Sequence, residues 1–281
     1  MKIRTGILPH SKLFVEQFIP EEKKFPHPLM FVHGSFVGAF VWEPIASFLA
    51  EHGFEGYALS LRGHKPNGSV RLQEVHMGNY LEDVSSCIQE LKLQNPVIIG
   101  HGMGGLLALM YARDHQQEGK PSAIICISPS PSHETAVRWS EGKTLAAIPL
   151  VYTASQTGFP EDPSGMFRAF PDLPKSKVLE IRSRFGPESG LARRQRKRGI
   201  GVRKGSILGP MIFFGAQYGE SVSFGIPSHT TKKMAHYFDS RYKLIKGTSH
   251  LGILLGTHAK EVAEEIGEWL RETFNWSTIP K

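Results

Sequence analysis

The chain has 281 residues, of which 40% are apolar and 21% charged, with 29 Gly and 19 Pro. This composition excludes disordered and collagen-like proteins, and the length suffices for one large hydrophobic core. No segment reaches the about 18 uninterrupted apolar residues of a transmembrane helix, and the first residues lack the apolar run of a signal peptide. The two cysteines, Cys87 and Cys126, lie in apolar runs. They predict buried free thiols in a reducing compartment, as in a cytoplasmic protein, and they exclude a disulfide framework and a zinc site. We expect no metal and no cofactor.

The net charge of +7 comes from one segment, residues 182–204, called the basic window below. It contains nine basic residues and one acidic residue, Glu188, whereas the rest of the chain has 24 basic and 25 acidic residues. Such a window is typical of a solvated helix face. It is also compatible with an anionic partner, such as a phosphorylated ligand, a carrier protein or an acidic membrane. No nucleic-acid-binding motif accompanies it, so we expect no nucleic acid partner.

Short apolar runs alternate with helical patterns along the chain, which predicts an α/β fold with a mainly parallel central sheet and helices on both faces. The predicted strands are 12–19, 29–33, 54–59, 97–100, 123–128, 211–215 and 241–245. The predicted helices cover 42–50, 79–93, 104–112 and 259–270. The alternation stops between residues 129 and 208, where Ser-Pro repeats and the basic window occur. We therefore expect a single domain over 1–281 with an inserted cap at about 129–208.

Sequence motifs follow several of these strands. His33-Gly34-Ser35 follows the second strand, Arg62-Gly63-His64 the third, and Gly100-His101-Gly102-Met103-Gly104-Gly105 the fourth. Far downstream, Gly247-Thr248-Ser249-His250 lies between the last strand and the C-terminal helix. Each motif is weak alone, but the four in this order are specific.

With these motifs the chain resembles the α/β-hydrolase superfamily, in particular its small esterase and lysophospholipase-like branch. The resemblance implies an active site at the C-terminal edge of the sheet, with a nucleophile, an acid and a histidine in that chain order. The nucleophile position corresponds to Gly102 and the histidine to His250. The oxyanion-hole amides would come from Met103 and from Ser35 or Phe36. The neighbouring residues expected at the substrate are His33, Gly34 and His101.

Two positions depart from the family pattern. The family requires a serine at the turn called the nucleophile elbow, and Gly102 has no side chain to attack a carbonyl. The acid is expected about three residues after the strand 211–215, where this chain has Tyr218. Glu220 is the nearby carboxylate that could orient His250 from a shifted loop. A displaced nucleophile at Ser128, Ser130 or Ser132 is a further alternative, although no partner base is evident.

These departures leave several functions open. The main hypothesis is a protein that acts on or binds a small carbonyl or ester compound through the oxyanion-hole amides and His250, which could activate a water. The second is a catalytically inactive pseudoenzyme that binds a ligand or partner in the same pocket. The third is a non-hydrolytic cyclase, lyase or decarboxylase. Glycine at 102 fits the second hypothesis, because it relieves the strain of positive φ once the hydroxyl is no longer needed.

Overall fold

The central feature of the molecule is an eight-stranded sheet. The computed structural model describes residues 1–117, 119–136 and 143–276. Strands β1 and β2 pair antiparallel to each other and β2 pairs antiparallel to β4, whereas the remaining neighbours are parallel, in the order β1-β2-β4-β3-β5-β6-β9-β10. The sheet strands are β1 Lys2–Ile7, β2 Phe14–Ile19, β3 Leu29–Val32, β4 Gly56–Leu59, β5 Val97–His101, β6 Ala123–Ile127, β9 Met211–Tyr218 and β10 Arg241–Ser249. The mainly parallel α/β fold class is confirmed.

The first strand was not predicted. All six residues of β1 are exposed, so the strand has no buried face and lacks the apolar alternation that identifies strands in a sequence. Its backbone pairs with β2 in a register that joins Lys2 to Ile19 and Ile7 to Phe14. This edge hairpin lies outside the parallel part of the sheet that carries the predicted site.

Helices cover both faces of the sheet. One face packs against α1, α9 and α10, and the other against α2, α3 and α8. The helix after β5 is buried on all sides, because every residue from Met103 to Ala112 is apolar or glycine. The helix bounds are α1 Glu43–Glu51, α2 Met77–Glu90, α3 Met103–Asp114, α4 Lys143–Ala146, α5 Pro163–Ala169, α6 Lys175–Arg184, α7 Gly190–Arg198, α8 Ser228–Tyr237, α9 Gly252–Leu255 and α10 Ala259–Thr273.

The segment between β6 and β9, called the insertion below, corresponds to the predicted cap. It contains α4 to α7 and a short antiparallel pair of strands, β7 Val151–Tyr152 and β8 Glu188–Ser189. Its aromatic side chains pack onto the loop after β3, since Tyr152 meets Phe36 edge to face with ring centroids 5.4 Å apart. The described residues of the insertion add no strand to the central sheet. The insertion covers one end of that sheet.

Within the described part of the chain, no helix has both the length and the apolar character that crossing a membrane requires.

Candidate active site

Gly102 occupies a sharp turn between β5 and α3. Its backbone has φ 54° and ψ −117°, a conformation that costs a residue with a Cβ about 1–3 kcal/mol. A Cβ built on Gly102 would meet no atom closer than 3.5 Å, whereas one on Gly104 would lie 2.1 Å from the carbonyl oxygen of Val32. Position 102 therefore has room for a side chain, and position 104 has none. The bend lies where the sequence motif places the elbow.

His250 lies directly after β10 and faces this bend. Its Nε2 atom is 3.5 Å from the position that a Cβ of residue 102 would take. The ring is buried, and the ring of His101 lies 4.4 Å away between centroids. Nε2–H of His101 donates a 2.9 Å hydrogen bond to the carbonyl oxygen of His250. The fold thus brings His250 to the adjacent residues His101 and Gly102 from a segment about 150 residues further along the chain.

The electrostatics of His250 do not resemble those of a triad histidine. Burial lowers the pKa of His250 well below its usual value of 6.5, and the neighbouring His101 lowers it further. Its Nδ1 atom is buried and finds no hydrogen-bond partner in residues 1–117, 119–136 and 143–276. In a triad, a carboxylate binds this atom, orients the ring and stabilises the imidazolium. His250 is therefore a buried histidine with a lowered pKa, and the described residues place no carboxylate at its Nδ1 atom.

The structure does not bring Glu220 to His250. Strand β9 continues to Tyr218, three residues beyond its predicted end, and Glu220 falls on a short turn at 219–221. The side chain of Glu220 is exposed, and Tyr218 is also exposed. The expectation that a shifted loop lets Glu220 orient His250 is therefore corrected, because the longer strand carries this carboxylate to the surface.

A different carboxylate, Asp172 of the insertion, contacts the segment that carries His250. Its Oδ2 atom accepts a 3.0 Å hydrogen bond from the N–H of Ser249, while Oδ1 is buried and unpartnered among the described residues. The carboxylate fits there because Gly252 has no side chain, since a Cβ at 252 would lie 1.8 Å from Oδ2. Asp172 was not predicted from the sequence, because 77 residues separate it from Ser249 and no motif marks it.

The loop after β3 passes beside the elbow, as an oxyanion hole requires. A Cβ on Gly34 would lie 3.7 Å from Cα of Gly102. Phe36 has a positive φ of 70° and its carbonyl oxygen accepts a 2.8 Å hydrogen bond from the N–H of Gly186 in the insertion. Met103 begins α3, so its N–H is one of the four that a helix leaves without an internal partner. That the amides of Met103 and of Ser35 or Phe36 face one oxygen stays a prediction.

His33 is placed beneath this loop and not in the cavity. Its Nδ1 hydrogen-bonds to the carbonyl oxygen of Gly34 at 2.7 Å, and its Nε2 accepts the N–H of Leu61 at 3.0 Å. Burial lowers the pKa of His33 to about 3, with a further contribution from His64. Because both ring nitrogens bind the backbone, His33 has no free atom for a substrate. His101, by contrast, does line the cavity.

A cavity of about 270 Å³ lies above the elbow, between the insertion and the loops of the sheet. Its wall combines apolar groups, hydroxyl groups and cations. The lining residues are Ser35, Phe36, His101, Gly102, Met103, Ser130, Pro131, Ala136, Arg193, Arg196, Lys197, Ser223, Phe224, Gly225, Ile226, Pro227, Thr230, His250 and Leu251. Of the three serines considered as displaced nucleophiles, only Ser130 is in this wall; Ser128 and Ser132 are buried, and their hydroxyls contact Ala216 N–H and Thr135 respectively.

A buried charged network ties the insertion to the core next to this cavity. Glu188 of β8 lies 3.3 Å from Nε2 of His64 and accepts a 2.5 Å hydrogen bond from Tyr80. Although burial opposes ionisation, the charge and hydrogen bond of His64 lower the pKa of Glu188 to about 2. The pKa of His64 is raised: burial alone would lower it, but Glu188 outweighs that effect. The pair is therefore Glu188 carboxylate with His64 imidazolium.

No group of three or more His, Cys, Asp or Glu side chains in the described residues is arranged to hold a metal ion. Cys87 and Cys126 are both buried free thiols. Burial raises the pKa of each thiol, so neither is a reactive thiolate near neutral pH.

Comparisons with known proteins agree with this architecture. Residues 27–143 match a family model described as alpha/beta hydrolase fold. A non-heme chloroperoxidase of Burkholderia pyrrocinia is 28% identical over 122 residues, which cover 43% of this chain and 42% of that protein. The AB hydrolase superfamily protein YisY of Bacillus subtilis (strain 168) is 27% identical over 124 residues, 44% of each chain. The matched part is thus less than half the length of these curated relatives.

Solved structures extend the likeness over nearly the whole chain. An esterase from Exiguobacterium antarcticum superposes with a TM-score of 0.71 at 17% identity, covering 94% of this chain and 98% of the esterase. At this level of identity the likeness is one of fold, and one fold supports many different chemistries.

Proposed function

Because residues 27–143 match an alpha/beta hydrolase family model and the fold agrees with it, we propose that the protein binds a small carbonyl or ester compound in the cavity above Gly102 and forms no acyl-enzyme. The observation that carries the proposal is the elbow itself. Gly102 holds the elbow conformation, and Nε2 of His250 faces the position that a side chain would take, 3.5 Å from it. The turn keeps the conformation of a nucleophile elbow, but residue 102 has no side chain that could act as a nucleophile.

The state of His250 supports binding over catalysis. A general base works best when its pKa lies near the working pH, and burial holds the pKa of His250 well below 6.5. Nδ1 of His250 also lacks the carboxylate that triads use, and removal of that acid from a triad costs about 10⁴-fold in turnover. Acyl transfer therefore lacks two of its three side-chain components.

What remains suits recognition of a carbonyl oxygen. The first amide of α3 and the loop 34–36 both lie beside Gly102, and we expect their backbone N–H groups to bind an oxygen without a side chain. The apolar residues Phe36, Phe224 and Leu251 line the same cavity. The combination of a few polar donors and an apolar wall is typical of small-molecule sites.

A second candidate, direct hydrolysis, has one observation in its favour. The absence of a side chain at 102 leaves space next to Nε2 of His250, where a water could receive help from the imidazole. In that case no covalent intermediate forms, and water attacks the bound ester directly. A cyclase, lyase or decarboxylase would use the same imidazole to carry a proton, so His250→Ala should abolish turnover in each of the catalytic alternatives.

The experiment compares binding with turnover in the wild-type protein and in His250→Ala, with His229→Ala as the matched control, because His229 is an exposed histidine outside the cavity wall. Methyl butyrate is titrated by two-dimensional NMR, and release of nitrophenolate from p-nitrophenyl butyrate is followed by absorbance. We expect shifts at residues lining the cavity and no protein-dependent hydrolysis. We expect the affinity of His250→Ala to stay within about threefold, roughly 0.7 kcal/mol. Hydrolysis that disappears only in His250→Ala would instead establish the water-activating enzyme.

A further inference from the structure

One wall of the cavity is strongly cationic. Arg193, Arg196 and Lys197 of α7 all line it, and the described lining residues include no carboxylate. The three positions lie on one face of the helix, because residues three and four apart are neighbours there. Part of the basic window therefore faces the cavity and not only solvent. Arg198 on the same helix is exposed and does not line the cavity.

Arg196 is held at the centre of this wall by neutral groups. Its Nη2 donates to the hydroxyl oxygens of Ser35 at 3.1 Å and Tyr152 at 3.3 Å, and its Nη1 to that of Ser130 at 3.4 Å. Nε of Arg196 is buried without a partner in the described part of the chain. Ser35 belongs to the loop beside Gly102, so the guanidinium reaches the expected oxyanion hole from the insertion.

The positive charge of this wall is not balanced by ion pairs. Across the described residues, no carboxylate lies within ion-pair distance of Arg193, Arg196 or Lys197. Arg193 instead lies over the ring of Tyr152, 4.8 Å from its centroid. Glu188 is near Arg196 but is paired with His64. Three like charges on one helix face repel each other, and a bound anion would relieve that repulsion.

The cavity wall also contains apolar side chains. Phe36, Phe224, Ile226 and Leu251 contribute to it, and the ring of Phe224 meets His250 edge to face with centroids 6.1 Å apart. A ligand that fills the cavity therefore needs two parts. One part is charged and faces α7, and the other is a short apolar body that packs against the apolar side chains just named.

We propose that the ligand carries an oxyanion, a carboxylate or a phosphate, and that Arg196 binds it next to the oxyanion loop while Arg193 and Lys197 add attraction. The planar guanidinium matches both groups through paired N–H donors. This inference rests on the proposed function, because it assigns the class of ligand for the same cavity. It differs from a neutral ester site, in which the cations of α7 would have no counterpart.

The test titrates three probes of equal chain length, hexanoate, hexyl phosphate and neutral methyl hexanoate, into the full-length protein by two-dimensional NMR. We expect at least one of the two anions to bind about tenfold or more tighter than the ester, the usual value of a charged hydrogen bond. Preference for hexanoate assigns a carboxylate, and preference for hexyl phosphate assigns a phosphate. Either result supports the inference.

Variants separate a specific anchor from general positive charge. Arg196→Met should weaken binding of the preferred anion about tenfold or more and leave methyl hexanoate within about threefold. The matched control is Arg198→Met, which should change neither affinity. Arg193→Met is the second variant should Arg196→Met fail to fold, because Arg193 interacts with Tyr152 whereas Arg196 also contacts Ser35 and Ser130. Arg193→Met should weaken anion binding selectively.

The outcomes distinguish failure of this inference from failure of the proposed function. The inference is overturned, and the proposed function stands, when methyl hexanoate binds at the cavity as tightly as both anions. It is likewise overturned when Arg196→Met and Arg193→Met retain the wild-type preference for the anion. When none of the probes shifts a residue of the cavity wall, the proposed function fails as well.

Discussion

Gly102 combines two properties that rarely occur together at a turn. Its backbone conformation, with φ 54° and ψ −117°, favours glycine, yet the surrounding atoms leave room for a side chain. At other glycines of the turn a side chain would clash with neighbouring atoms. A Cβ on Gly104, for example, would meet the carbonyl oxygen of Val32. A glycine at position 102 avoids the strain that a side chain would add there, which is consistent with the proposal that the site presents no catalytic hydroxyl.

The conformation and surroundings of the turn predict how substitutions there affect stability. Gly102→Ala and Gly102→Ser should each lower the free energy of unfolding by about 1–3 kcal/mol, because they add strain without a clash. Gly104→Ala should lower it by more, since its Cβ would lie 2.1 Å from the Val32 oxygen. Chemical denaturation of the three variants measures this order. A Gly102→Ala protein as unstable as Gly104→Ala would contradict it.

The sequence was sufficient to predict the elbow, His101 and His250, because each lies within a few residues of a recognisable strand end. It was not sufficient for the carboxylates. Glu188 and Asp172 reach the site from the insertion through contacts over more than 70 residues in the chain, and no local motif marks them. Glu220 was proposed from its closeness in sequence to the strand end, and the extra length of β9 places it at the surface.

Among the secondary structure elements, β8 couples the insertion to the core through a buried ion pair. It contributes Glu188, which is fully buried and binds His64 and Tyr80 on the other side of the interface. Removal of one partner from a buried ion pair leaves an uncompensated charge, which is more costly than the pair itself was favourable. The position of α7, which follows β8 directly, thus depends on this contact.

Glu188→Gln should therefore destabilise the protein strongly. We expect the free energy of unfolding to fall by about 3–5 kcal/mol, because the imidazolium of His64 loses its counter-ion in a buried position. The matched control is Glu272→Gln, which removes the exposed ion pair with Arg241 and should cost less than about 1 kcal/mol. Both values come from denaturant titration at neutral pH. Equal effects of the two substitutions would show that the Glu188 pair has no special role.

The remaining differences between prediction and structure at this scale also have physical causes. Strand β1 has no buried side chain, so its only stabilising feature is backbone pairing, which leaves no pattern in the sequence. The short elements of the insertion pack against the loops after β3 and β9 and not into the central sheet. Their positions depend on these distant partners, so the sequence indicated an insertion without its internal order.

At the scale of the whole molecule, the cavity is formed by two parts of the chain with different character. The sheet side supplies the elbow, His250 and backbone donors, and the insertion supplies the cations of α7. A hydrolase-like framework is thus combined with a wall suited to an anion. On the two proposals above, the anion and the carbonyl group of the ligand would be bound by different segments of the chain.

The most direct test of the central claim, that the site forms no acyl-enzyme, is intact-protein mass spectrometry after incubation with a fluorophosphonate, with an active serine hydrolase in the same tube as the reagent control. The wild-type protein should keep its unmodified mass while the control is fully labelled, because Gly102 offers no nucleophile and His250 activates none. A stoichiometric adduct that peptide mapping assigns to Ser130, or to any other residue of the cavity wall, would contradict the account.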